Sequence, residues 1–156
     1  MTDQAIAEEG ARGLGRAGEN RALVALTLPV LLISMDATIL GFAVPRLSED
    51  LQPSGAELLW IIDVYSFVLS GLLITMGNIG DRVGRRRLLL YGAAGFSAAS
   101  VAAAFAPTAT ALIVARAALG VAGATLMPST LSLIRNIFMD ERRRQFAGAV
   151  WATVFS

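Results

Sequence analysis

Lysine, cysteine and histidine are all missing from the 156 residues. Without cysteine and histidine there are no disulfides, no thiol chemistry and almost no donor set for a transition metal. The missing lysine excludes lysine-based catalysis. Charge is scarce as well. Charged residues make up 16% of the chain, where a soluble domain has about a quarter, and residues 88–115 carry none. What is present is apolar, at 55% of the sequence. The thirteen basic residues are all arginine, and the net charge of +1 gives no argument for a nucleic-acid partner. This composition belongs to a membrane protein, with the lipid bilayer as its first partner and no design for metal or nucleophilic chemistry.

Along the chain, residues 1–22 are polar, mixed in sign and glycine-rich, which predicts a mobile tail. The tail lacks the basic start, short apolar core and small-residue cleavage site of a signal peptide. Apolar runs follow at 23–45, 58–80, 88–106 and 109–134. Each is long enough to cross a hydrocarbon core of about 30 Å as a helix. A fifth run, 146–156, is too short to cross, so the chain reads as an N-terminal fragment cut inside a helix. The fold expected is an all-α polytopic transmembrane bundle.

The arginines set its orientation. The link before the second run pairs Arg46 with Glu49, Asp50 and Glu57, whereas the next link carries Arg82, Arg85, Arg86 and Arg87. Residues 107–108 form an uncharged turn, and Arg135, Arg142, Arg143 and Arg144 follow the fourth run. Arginine-rich links stay on the cytoplasmic side. Alternation then places the N-terminus in the cytoplasm.

Ionisable groups inside the runs are the candidate site. Each costs about 2.5–3.5 kcal/mol at a membrane helix centre on insertion scales, so each normally faces a partner or a water-filled cavity. Counted at about 1.5 Å per residue, Asp36, Asp63 and Arg116 lie at similar depth below the outer surface. They are expected to form an inward-facing polar cluster. For Asp63 a structural role near interfacial water stands equally open. For Asp36 and Arg116 function is favoured over simple neutralisation within the bundle. An enzyme built on the Asp36–Asp63 pair is conceivable, but Arg116 at the same depth argues for charge pairing instead. Pro29 and Pro128 can kink their helices, and small residues in the third and fourth runs permit close helix contact. Neither feature is specific to transport.

The link at residues 77–90 is the most particular stretch. As a bland reading it is only a topology anchor, whose glycines let the backbone turn tightly or let helices approach closely. Its pattern, Gly77-Asn78-Ile79-Gly80-Asp81-Arg82-Val83-Gly84-Arg85-Arg86, resembles the signature between the second and third spans of major facilitator superfamily transporters, with Ile79 where leucine is usual. Asp36-Ala37-Thr38-Ile39 with Pro45 resembles the first-span motif of the fourteen-span drug:proton antiporter branch. Leu59-Trp60-Ile61-Ile62-Asp63-Val64-Tyr65-Ser66 resembles the second-span start of methyl viologen and quaternary-ammonium efflux pumps. Arg116-Ala117-Ala118-Leu119-Gly120 is similar to the fourth-span motif, with Leu119 where glutamine is frequent.

The resemblance implies proton-coupled efflux of small lipophilic cations from a bacterial inner membrane. Its energy source would be the proton gradient, with no cofactor. It gives Asp36 a protonation or cation-recognition role and Arg116 a part in proton coupling, with Asp63 beside them. It makes Gly77, Asp81, Arg82, Gly84, Arg85 and Arg86 a cytoplasmic gate. Separately from the resemblance, Arg135 at the inner end of the fourth run is our expected salt-bridge partner of Asp81. The fifth-span antiporter motif and the C-terminal half of such a transporter are not in the sequence, so the chain alone is expected to be inactive. The rival reading is a short membrane protein that does not transport and acts by helix–helix association with a full-length transporter.

Overall fold

The computed structural model describes residues 16–155. They form five helices and, among the described residues, no strand: α1 Arg16–Leu51, α2 Gly55–Val83, α3 Arg85–Ala104, α4 Ala109–Ile137 and α5 Glu141–Phe155. The first four are long and apolar enough to cross a membrane. Of the expected tail, residues 1–15 lie outside the described residues, and 16–22 are the first turns of α1.

α1 outruns its apolar stretch at both ends. Its 36 residues contain both Pro29 and Pro45 and measure about 54 Å. A proline removes one backbone donor but keeps a helical φ, and membrane helices tolerate it. Past Pro45 the helix carries Arg46, Glu49 and Asp50, all exposed, so the link to α2 shrinks to three residues, 52–54. Gln52 turns the chain with φ 43°. Ser54 then caps α2: its Oγ accepts from the Glu57 amide, and its own amide donates to Glu57 Oε2 at 2.9 Å. That reciprocal pair satisfies two donors that a helix start leaves free.

The arginine-rich link is tighter still. Gly84 alone separates α2 from α3, with φ 104° and ψ 125°, a conformation that side-chain-bearing residues rarely adopt. Gly77 and Gly80 do not turn; both lie within α2. Thr108 Oγ1 accepts from the Ala111 amide at 3.2 Å to start α4, and Asp140 Oδ1 accepts from the Arg142 amide at 2.8 Å to start α5.

α4 is the hub. Over half of its most apolar stretch is buried, 56% against 17–24% for the other three long helices, and it packs on all four neighbours. Three apolar clusters run along it. Ile61, Ala109 and Leu112 form one end; Ile33, Tyr65, Phe96, Leu119 and Leu126 form the middle. Leu26, Ile134, Phe138 and Ala147 close the arginine-rich end. The approach of α2 depends on Gly120, where a Cβ would sit 2.7 Å from the Tyr65 carbonyl and 2.9 Å from Val68 Cβ. α5 is tied in by polar contacts: Ser34 Oγ donates to the Val154 carbonyl at 2.9 Å, and Trp151 Nε1 donates to Thr130 Oγ1 at 3.1 Å.

Candidate functional site

Arg116 lies on the buried face of α4, one turn from Leu112 and Leu119, and is 3% exposed. A guanidinium there needs partners for both its charge and its donors. Three neighbours supply them. Nη1 donates to Asp36 Oδ2 of α1 at 2.5 Å. Nε donates to the Ile61 carbonyl of α2 at 3.1 Å. The Tyr65 ring of α2 lies against the guanidinium, 4.8 Å from Cζ to the ring centroid. Ile61 and Tyr65 are four residues apart and share one helix face, so a single stretch of α2 offers Arg116 both a carbonyl dipole and an aromatic face.

Two cavities open on this group. The larger, about 420 Å³, has Asp36 and Arg116 in a wall otherwise made by residues such as Met35, Ile39, Phe96 and Leu119. The smaller, about 260 Å³, is lined by Leu40, Tyr65, Ser66, Asp63 and Arg116. Asp36 and Arg116 are therefore in contact, while Asp63 shares a cavity with Arg116 and makes no ion pair among the described residues. Leu119, where glutamine is frequent, is fully buried beside Ile33, Tyr65 and Phe96, and it gives the ion pair an apolar neighbour. Among the described residues, the buried Tyr65 hydroxyl has no hydrogen-bond partner. The pattern of charges along the chain does not single out Tyr65 or the Ile61 carbonyl. The available signal was the aromatic ring four residues after Ile61, but only the packing of α2 on α4 aims it at Arg116.

At the other end of the bundle, the expected gate residues are placed as follows. Asp81 Oδ1 accepts from Arg85 Nε at 3.0 Å and pairs with Nη2 at 2.5 Å. Arg85 Nη1 also donates to the Pro128 carbonyl of α4 at 3.2 Å. Gly77 faces the same proline, its Cβ position 3.9 Å from Pro128 Cβ. Arg82 and Arg86 are exposed and make no ion pair among the described residues. The expected Asp81–Arg135 pair is not formed. Arg135 is exposed and lies seven residues, about 10 Å, beyond Pro128 along α4. The sharp break at Gly84 brings Arg85 back onto Asp81 first.

Both constellations lie inside one sequence block: residues 26–156 match the family model described as Major Facilitator Superfamily. The chain belongs to the major facilitator superfamily. Among its relatives in that superfamily, the multidrug efflux pump LfrA of Mycolicibacterium smegmatis is 61% identical over 135 residues, covering 86% of this chain and 27% of that protein. The methyl viologen resistance protein SmvA of Salmonella typhimurium is 47% identical over 134 residues, with coverages of 86% and 27%. The tetracenomycin C resistance and export protein of Streptomyces glaucescens is 36% identical over 132 residues, covering 85% of this chain and 24% of that protein. The chain thus spans about a quarter of the length of these curated relatives.

Proposed function

We propose that this chain forms the first spans of a proton-coupled multidrug efflux transporter for lipophilic cations such as methyl viologen and quaternary ammonium compounds. The observation that carries the reading is the Asp36–Arg116 pair, 2.5 Å long and set in the wall of an apolar cavity of about 420 Å³. An apolar cavity with a single acid suits a cation that is itself mostly apolar. A proton arriving on Asp36 removes its charge and weakens its hold on Arg116. A cationic substrate competes for the same carboxylate, so proton and drug exclude one another at one site. Arg116 keeps the Ile61 carbonyl and the Tyr65 face when Asp36 is neutralised, so it stays in place through the exchange. The Asp81–Arg85–Pro128 contacts fit a cytoplasmic gate that opens and closes as α2 and α4 shift.

In this reading the proton gradient drives the cycle without a cofactor, in a bacterial inner membrane with the arginine-rich end in the cytoplasm. Alternating access moves two bundles against each other around a midplane site, so residues 1–156 alone carry out no transport. The reading is supported by the names of the relatives and by the position of the ion pair. Its test is Asp36→Asn in a full-length transporter that carries this chain as its N-terminal part. Asparagine keeps an acceptor for Arg116 while removing the negative charge. Ethidium and methyl viologen efflux should fall to background at normal membrane abundance; normal efflux would remove Asp36 from the mechanism.

A further inference from the structure

The α2–α3 hairpin holds more arginine than its own acid can neutralise. Asp81 is taken by Arg85. Arg86 and Arg87, in the first turn of α3, are exposed and make no ion pair among the described residues. Arg87 lies one turn before a groove-lining residue, Tyr91. Tyr91, on the same face, is 71% exposed. From there a channel of about 380 Å³ runs between α3 and α4, lined by Tyr91, Gly92, Gly95, Ala118, Val121 and Thr125. Its lining is almost wholly apolar: the Thr125 hydroxyl is spent on the Ala122 carbonyl at 2.7 Å, leaving the Tyr91 phenol at the mouth.

The order along α3 is therefore guanidinium, phenol, apolar channel, with Arg87, Tyr91 and Gly95 each separated by about 6 Å. A phospholipid presents its parts in the matching order: phosphate, glycerol, alkyl chain. We propose that this groove binds an acidic phospholipid of the leaflet at the arginine-rich end. Arg87, with Arg86 beside it, holds the headgroup phosphate, to which guanidinium offers paired donors. One acyl chain lies along Gly92 and Gly95 against Ala118 and Val121. Charge decides the occupant, because an apolar helix of a second copy laid in the channel brings no anion to Arg87. The proposal is independent of transport and of the Asp36–Arg116 pair.

The test is native mass spectrometry of residues 1–156 in detergent, titrated with phosphatidylglycerol and, separately, with phosphatidylcholine of the same acyl chains. Each arginine near the surface contributes about fivefold. Phosphatidylglycerol should therefore bind about five- to thirty-fold more tightly, less so as salt rises. Arg86→Gln with Arg87→Gln should abolish that preference while leaving phosphatidylcholine binding unchanged. The Arg86→Lys and Arg87→Lys pair should retain it, and Ala118→Phe, which fills the channel, should weaken both lipids. Arg46→Gln, at the opposite end of the bundle, should change neither. Equal affinity for the two lipids, or a preference that survives both glutamines, would overturn the site. So would displacement of the lipid by inorganic phosphate at matching concentration, which would make the ligand a free anion. A channel closed by a second copy, seen as a dimer that Ala118→Phe breaks, would overturn it too.

Discussion

At the scale of single residues, the decisive fact is how Arg116 is held. A buried ion pair gains little over an apolar packing of the same volume, yet leaving one partner alone costs about 3–5 kcal/mol. Arg116 avoids depending on Asp36 alone, since Ile61 and Tyr65 engage it from α2. The two parts of Tyr65 can be separated. Tyr65→Phe keeps the ring and removes a buried hydroxyl that has no partner among the described residues. It should raise thermal stability by up to about 1 kcal/mol. Tyr65→Leu loses the aromatic face and should lower stability by about 0.5–2 kcal/mol. Melting curves of both variants check the prediction; a Phe variant less stable than the parent would mean that the hydroxyl has a partner after all.

At the scale of elements, the bundle depends on how closely α2 and α3 approach α4. Gly120 is where α2 touches most tightly, with the Tyr65 carbonyl 2.7 Å from the missing Cβ. Gly120→Ala should push the helices apart, cost about 1–3 kcal/mol and draw Tyr65 and Ile61 away from Arg116. Gly71 is also within α2 but has nothing within 4 Å of its Cβ position. Gly71→Ala is the matched control and should be neutral or slightly stabilising. Thermal unfolding in detergent distinguishes the two, and equal effects would show that Gly120 is not a packing constraint. The sequence left the hairpin glycines open to a tight turn or to close helix approach, because a glycine's identity does not reveal which constraint it satisfies. Of the hairpin glycines, only Gly84 has the positive φ of a turn; Gly77 faces Pro128, and Gly80 faces Leu88 and Arg85.

At the scale of the whole molecule, the four long helices alternate in direction, so the links at 52–54 and 105–108 share one end. The Gly84 break and the 138–140 link share the other. The natural absence of cysteine makes this directly measurable. Single cysteines at Gln52 and Pro107 should react with an impermeant maleimide from one side of the membrane only. Cysteines at Arg86 and Glu141 should react only from the opposite side. Labelling of Gln52→Cys and Arg86→Cys from the same side would mean that α2 does not cross.

Much of this architecture follows from the chain alone. Helices long enough to cross a bilayer, and the end at which the arginines gather, are properties of composition along the sequence. Hydrophobic transfer and charge placement act locally and leave a local record. The depth of Asp36 and Arg116 was legible for the same reason, since helical rise converts residue number into distance. Direction around the helix axis was not legible to the same degree. Whether Arg116 meets Asp36 or Asp63, and whether Asp81 meets Arg85 or Arg135, depends on how α1, α2 and α4 rotate and press together. Those rotations are set by packing between residues far apart in sequence, such as Gly120 against Tyr65 and Arg85 against Pro128. The sequence by itself determined that there would be charges at one depth and a cluster of arginines at one end. Only the tertiary structure decided which of them touch.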